Sequence, residues 1–413
     1  MSVAPAPIYL DNHATTRLDP RVLEAMLPWL TDHYGNAGSV THDPGREARA
    51  AVEAARGTFA TAINAAAREI VFTSGATESA NLALLGSAAR LMTEGRRGHA
   101  ITVATEHHAV LDPLEHLERS GTAVTRLPVV GQRDGGGMPG RIRLADLDEA
   151  FRPDTFLVSV LLANNEIGVV QDVAAIAERV HDRGAVLHVD CAQAIGRMPV
   201  DVDALGADLA SFSAHKFHGP KGAGAVYVRR RGRAVRLEPL VHGGGQERGL
   251  RSGTLDVPAI VGLATAARLA TDGLADEVPR MRGLRDRLWS RLEATVPGIA
   301  LNGPHLDAMD DGGVLVRLVN NLNVRITGVD GQSLLAALSA AGLAASAGSA
   351  CSAESPRPSH VLLALGLSDD EARSSLRFGL SRFTTTADVE AAATRVAAGV
   401  AELRGLCLGG GAG

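Results

Sequence analysis

Between residues 69 and 230, short β-branched runs alternate with alanine-rich stretches of helical period. EIVFTSG precedes ATESANLALLGSAARLM, AITVATEH follows, TFLVSVLLAN precedes DVAAIAERVHDRG, and AVLHVD, DLASFSAH and GAGAVYVR complete the series. Apolar runs of strand length separated by helical patterns predict an α/β fold with a mainly parallel central sheet flanked by helices. Beyond residue 256 the texture changes to long helical patterns over 257–297, a strand-like GVLVRLVN at 313–320, a helix near 330–341, and a last strand and helix near 375–404. That pattern predicts a smaller α+β domain. The expected division is a large domain over 18–260, a discontinuous small domain from 1–17 and 261–405, and a flexible glycine-rich tail at 406–413. Length agrees: single cores rarely grow past about 250–300 residues, so a chain of 413 residues is expected to form two domains with a cleft between them.

Charge and cysteine usage narrow the function classes. The chain has 41 basic and 46 acidic side chains, a net charge of −5. This balance argues against the broad positive field of a nucleic-acid-binding coat, and no direct nucleic-acid partner is expected. The uncharged stretch 331–353 is too weakly apolar to span a membrane, and the N-terminus lacks a signal-peptide pattern. Cys191, Cys351 and Cys407 lie far apart with no CxxC pair, which disfavours a disulfide framework or zinc ribbon and suits a reducing, cytoplasmic location. His188, Asp190 and Cys191 lack metal-ligand spacing, so no metal site is expected. All but two of the basic residues are arginine, and the two lysines, Lys216 and Lys221, lie together in SAHKFHGPKG. Arginine keeps its proton near neutrality and cannot act as an amine nucleophile, so a lysine retained here is a candidate for chemistry. The run Arg229–Arg233 reads as a solvated hairpin.

In open α/β sheets ligands sit at the carboxyl ends of the strands. Those ends carry Thr73–Thr77, His107, Asn164 and Asn165, Asp190, and then Ser213, His215 and Lys216. Gly75, Ala76 and Thr77 before a helix suit a phosphate cup, yet the third glycine of a dinucleotide motif is missing and GPKG is not a P-loop. A smaller phosphate compound fits better. Asp190 could pair a protonated ring nitrogen, Gln193 could donate to a ring hydroxyl, and Lys216 could form a Schiff base with an aldehyde. Together these are the requirements of pyridoxal phosphate. His107 could stack on such a ring and shuttle protons, with His108 pointing away, while Arg377 offers a fork for a substrate carboxylate. Cys351 stands in AASAGSACSAESPRP, where tiny side chains and prolines predict a mobile loop that can carry a thiol-bound cargo. Cys191 reads as a core residue and Cys407 as an idle tail thiol.

With these segments in hand, the chain resembles a cysteine desulfurase of the NifS/IscS type, in the class-V aminotransferase group of fold-type-I pyridoxal phosphate enzymes. YLDNHATT, TSGATES, TEHHAVL, ANNEIGVVQ, HVDCAQAIG, SFSAHKFHGPKG, GGGQERGLRSGT, SAGSACSA and LRFGLSRFTT carry the likeness in order along nearly the whole chain. The resemblance implies Lys216 as the Schiff-base lysine, Asp190 as the pyridinium partner, Gln193 on the ring hydroxyl and His107 as stacking acid/base. It further implies Thr77, Ser213 and His215 on the phosphate, and Asn165 and Arg377 on the substrate carboxylate. Thr254 would complete the phosphate site of a second subunit, so a homodimer is expected. The implied reaction takes sulfur from L-cysteine, leaves alanine and a persulfide on Cys351, and passes the sulfur to an acceptor such as an iron–sulfur scaffold or a thiolation protein. The alternative is a related enzyme, a selenocysteine lyase or an aminotransferase, for which Cys351 is dispensable. Two positions depart from the family: GNAGS replaces the usual GNPSS turn at 35–39, and His13 occupies a variable site.

Overall fold

The runs Ile70–Thr73, His99–Val103 and Leu209–Ser213 are buried along their whole length, the signature of strands covered on both faces. The computed structural model describes residues 7–95, 98–135, 137–347 and 357–409. The first part of the chain forms β1 (Ile8–Tyr9), α1 (Pro20–Thr31), α2 (Asp43–Ala62), β2 (Ile70–Thr73), α3 (Ala76–Thr93), β3 (His99–Val103), α4 (His108–Arg119) and β4 (Ala123–Leu127). There follow α5 (Leu144–Ala150), β5 (Thr155–Leu161), α6 (Val173–Asp182), β6 (Val186–Asp190), β7 (Leu209–Ser213) and β8 (Gly224–Val228). The remainder is α7 (Val257–Asp272), α8 (Leu274–Thr295), β9 (Ile299–Leu301), β10 (Asn321–Ile326), α9 (Gly331–Ala340), β11 (Leu343–Ala344), α10 (His360–Ala364), α11 (Asp369–Arg373), β12 (Ser375–Gly379) and α12 (Thr386–Gly409).

A seven-stranded sheet runs in the order β2-β8-β7-β6-β5-β3-β4, parallel except for β8, which lies antiparallel to both neighbours. One face packs Ile101, Val158, Val160, Leu187 and Val189 into a core shared with α2, α6 and α7, while Ala100 and Leu157 face α3 and α4 on the other. Period-two alternation thus serves two helical layers. A second core gathers Ile8 and Leu10, Leu284, Leu288 and Leu292 of α8 at i, i+4, i+8, and Leu322, Val324, Leu376 and Phe378 of the antiparallel β12-β10-β9 sheet. Among the described residues, no helix is long and apolar enough to cross a membrane.

Three expectations shift. The strand of the second sheet is not 313–320 but Asn321–Ile326. Its polar start hid it: Asn321 and Asn323 are fully buried, and both side-chain amides donate to the Glu166 carbonyl. The expected break at 260/261 falls inside α7, whose Ile260, Leu263, Ala266 and Ala267 all belong to the first core. Helix α12 runs to Gly409, through the start of the expected tail, because extending a formed helix costs far less than nucleating one.

Candidate active site

At the carboxyl ends of β5, β6 and β7 the chain encloses a cavity of about 430 Å³. One end is the start of α3. Gly75 is its N-cap and supplies no side-chain cap, so the amides of Ala76, Thr77 and Glu78 have no intrahelical acceptor and face a region of positive dipole. Only glycines allow this corner to close: Gly75 has a φ of +154°, and a Cβ on Gly224, the first residue of β8, would stand 2.4 Å from the Gly75 Cα. Ser213 and His215 border the same end. The His215 Nδ1 and Thr15 Oγ1 are 3.1 Å apart, and burial, helped by Lys216 and Lys221, lowers the His215 pKa to about 4.

Lys216 follows β7 in a short 3₁₀ turn. Its Nζ donates to the carbonyls of His13 (2.7 Å) and Ala14 (2.8 Å) on the N-terminal segment. Asp190 ends β6 and is buried. Its Oδ1 accepts from the Ala192 amide at 2.9 Å, and burial pushes the carboxyl up against the opposing pull of that amide and Lys216. Behind it Glu106 is fully buried; Oε1 accepts from the Leu161 amide at 2.7 Å, while Oε2 has no hydrogen-bond partner among the described residues. Burial, and then Asp190, hold the Glu106 carboxyl well above its usual range. Gln193 is locked by His13, whose Nδ1 lies 3.0 Å from Oε1 and whose carbonyl accepts from Nε2 at 3.0 Å. Arg197 also donates to Gln193 Oε1, and to the carbonyls of Asn12 and Lys216 at 3.1 and 3.0 Å.

His107 caps α4. Its Nδ1 accepts from the Ala109 amide at 3.0 Å, which places the proton of the neutral ring on Nε2. Burial, then Lys216, lowers its pKa to about 4, so the ring is neutral at physiological pH. His108 turns outward to Asp112 at 3.0 Å. Asn165 borders the cavity, whereas Arg377 does not. The Arg377 guanidinium is buried, donating to the Asn165 carbonyl (3.0 Å), Asp11 Oδ1 (2.9 Å) and Ser346 Oγ (3.2 Å), and its Nε has no hydrogen-bond partner among the described residues. Thr254 lies exposed on the surface and also stays out of this cavity. Cys351 lies outside the described residues. Cys191 is buried, and burial pushes its thiol pKa well up, as suits a core residue.

The sequence reading missed His13, Thr15 and Lys221. The first two reach the site from some 200 residues away along the chain, and their signal was the polar island DNHATT between Leu10 and Leu18, a segment that carries part of the family likeness without giving either residue a role. Lys221 was visible only as the second of two lysines. The assembled set is an uncapped helix start, a buried carboxylate without an ion pair among the described residues, and an amine, all on one cavity. It suits a phosphate ester that carries a basic ring and an aldehyde, which are the three handles of pyridoxal phosphate.

Comparison with known proteins agrees. A family model described as Aminotransferase class-V matches residues 8–392. The cysteine desulfurase IscS of Methylococcus capsulatus is 48% identical over 398 residues, which cover 96% of this chain and 93% of that protein. A solved structure described as a NifS-like protein superposes with a TM-score of 0.85 at 36% identity, covering 96% of this chain and 100% of its own. Another, described as SspA in complex with cysteine, gives a TM-score of 0.76 at 36% identity, covering 91% and 99%. This chain is a member of the class-V aminotransferase family and, within it, of the pyridoxal-phosphate-dependent cysteine desulfurases.

Proposed function

We propose that this desulfurase takes sulfur from L-cysteine, releases L-alanine and leaves a persulfide on Cys351 for transfer to an acceptor thiol. The observation that carries the reading is the meeting of Lys216, Asp190 and the open start of α3 on one cavity. The similar SspA structure in complex with cysteine supports the choice of substrate. In this reading Gly75, Ala76, Thr77, Ser213 and His215 hold the phosphate, Asp190 pairs the ring nitrogen, Gln193 meets the ring hydroxyl and His107 lies against the ring. Bound pyridoxal phosphate supplies an electron sink that makes the substrate Cα proton removable.

The chain's own groups do the rest. Lys216 Nζ would anchor the cofactor, and its amine is the base that takes the substrate Cα proton. Its two carbonyl acceptors at His13 and Ala14 hold the free amine at a fixed place beside the cavity. Asn165, which borders the cavity, and Arg377, which lies outside it against the Asn165 carbonyl, are assigned to the substrate carboxylate; the guanidinium reaches it on releasing Asp11, and its Nε, which has no hydrogen-bond partner among the described residues, is an open donor. The Cys351 thiolate attacks the substrate sulfur, so that an S–S bond forms and the C–S bond breaks with its electron pair passing to the substrate carbon. A proton from Lys216 Nζ completes alanine; His107, neutral in this site, offers a hydrogen bond from Nε2 and acts as the acid only once it has itself been protonated. The enzyme acts in the cytoplasm as a homodimer in which Thr254 serves the neighbouring subunit's phosphate site, with an acceptor such as an iron–sulfur scaffold.

The test is sulfide and alanine production from L-cysteine with added dithiol, wild type beside Cys351→Ser. Equal amounts of the two products, both lost in the variant, are expected. Alanine or sulfide that persists without Cys351 would move the protein to the lyase or aminotransferase branch.

A further inference from the structure

Both lysines of the chain border the same cavity. Lys216 is tied to the carbonyls of residues 13 and 14, and Lys221 has no hydrogen bond or ion pair among the described residues. We propose that Lys221 supplies the positive charge that balances the cofactor phosphate. This rests on the reading above, that the phosphate seats at the start of α3.

Charge balance motivates the assignment. A phosphate monoester carries close to two negative charges near neutrality. The groups around the cup are hydroxyls, backbone amides and His215, whose burial keeps it neutral at physiological pH. The acidic neighbour makes matters worse: Glu78 also borders the cavity, and its carboxylate is kept ionised by Arg251 (2.8 Å) and by the Ser74 amide (2.8 Å). Arg251 is consumed by that pair. The α3 dipole offers about half a charge, short of what a dianion beside a carboxylate needs. Among the described residues that border the cavity, Lys221 is the cation left over, since Lys216 is held by the carbonyls of His13 and Ala14.

Geometry places it well. Lys221 sits in the turn between the 3₁₀ segment of Lys216 and β8, held below by Gly219 N to Ala214 O (2.9 Å) and Ala214 N to Ala223 O (3.0 Å). Three residues later Gly224 is in contact with Gly75, so the turn rises beside the phosphate cup. A compact ammonium on a flexible stem can close over an anion there and still leave the mouth open to cofactor entry. That gives a reason for a lysine at 221 in a chain that otherwise uses arginine.

The experiment starts from the holoenzyme. Cofactor is removed, and the full chain is titrated with pyridoxal phosphate and, separately, with pyridoxal, following the yellow absorbance of the bound form. Lys221→Gln should weaken pyridoxal phosphate binding on the order of tenfold at low salt, leave pyridoxal binding unchanged, and lose less at high salt, where the charge is screened. Lys221→Arg should recover part of the loss. Unchanged pyridoxal binding also reports that the variant is folded. Equal weakening of both ligands, or no change in either, would overturn the role of Lys221. If wild type itself binds the two ligands equally, the phosphate is not seated at α3 and the parent reading fails instead.

Discussion

At the residue scale, adjacent positions divide between chemistry and scaffold. Asn164 and Asn165 end the same apolar run, yet only Asn165 borders the cavity. Asn164 is fully buried: its Oδ1 accepts from the amides of Glu166 (2.8 Å) and Ile167 (2.9 Å), and its Nδ2 donates to the Thr105 carbonyl (3.0 Å). Those three bonds hold the turn that presents Asn165 and joins β5 to Glu166. Replacing Asn164 with alanine strands buried amides as well as losing bonds, and should cost about 3 kcal/mol in urea unfolding. Asn165→Ala should change stability by less than about 0.5 kcal/mol, as its bond to Arg377 uses the backbone carbonyl. A milder Asn164 variant would show that the turn is held elsewhere. The pair His107 and His108 was legible in the sequence because one residue of a doublet at a strand end must face away. Which asparagine faced the site was legible only through the family likeness, which points to Asn165; the residue types alone do not choose, since both are polar and the deciding partners, Thr105 and Ile167, belong to the folded turn.

At the element scale, the loop 243–254 is fastened to the main sheet by a buried ion pair. Both Arg56 Nη atoms lie 2.7 Å from the Glu247 carboxylate, which also accepts the Phe72 amide at 2.8 Å, while Arg56 reaches the Ile70 carbonyl at 3.0 Å. Glu247 and Arg248 both stand at positive φ, 49° and 57°, a conformation that side chains rarely adopt without such fastening. Helix α2, strand β2 and the loop that ends at Thr254 are therefore one unit. Glu247→Gln leaves the Arg56 charge buried and should cost about 3–5 kcal/mol. Arg56→Met combined with Glu247→Leu should cost clearly less than the sum of the single changes, because neither partner is then left charged. Additive losses in that double-mutant cycle would mean that the two residues are not coupled. None of this was visible in GGGQERGLRSGT, where Glu247 reads as an ordinary loop acid. The strands and helices of the main sheet were legible because its two covered faces demand unbroken apolar runs. Strand β10 was not, because its buried asparagines pair with the Glu166 carbonyl, which the loop after β5 brings to them from the first core.

At the scale of the whole molecule, the buried titrating groups decide how stability follows pH. Burial lowers the pKa of His188 to about 3 and of His107, His215 and His218 to about 4, and it lowers His13 and His99 too. An unfolded chain protonates histidine near pH 6.5. Between about 6.5 and 4 the unfolded state therefore holds protons that these rings refuse, and stability falls as pH falls through that window, by up to about 1.4 kcal/mol per pH unit for each ring. Asp190, Glu106 and Glu166 act in the opposite sense. Their raised carboxyl pKa values mean that the folded state binds protons first as pH drops, which offsets part of the loss. The histidines outnumber them, so the denaturation midpoint of the apo protein should fall between pH 7 and pH 5. His188 isolates one contribution. It is fully buried, bridges Ser159 Oγ and Ser211 Oγ at 2.8 Å each, and borders no part of the cavity. Glutamine there can bond both hydroxyls yet cannot titrate, so His188→Gln should flatten the pH slope between 6 and 5 by up to about 1.4 kcal/mol per unit. A slope that the substitution leaves intact would show that His188 already accepts its proton in the folded protein, and that the serine bridge, rather than burial, governs its charge.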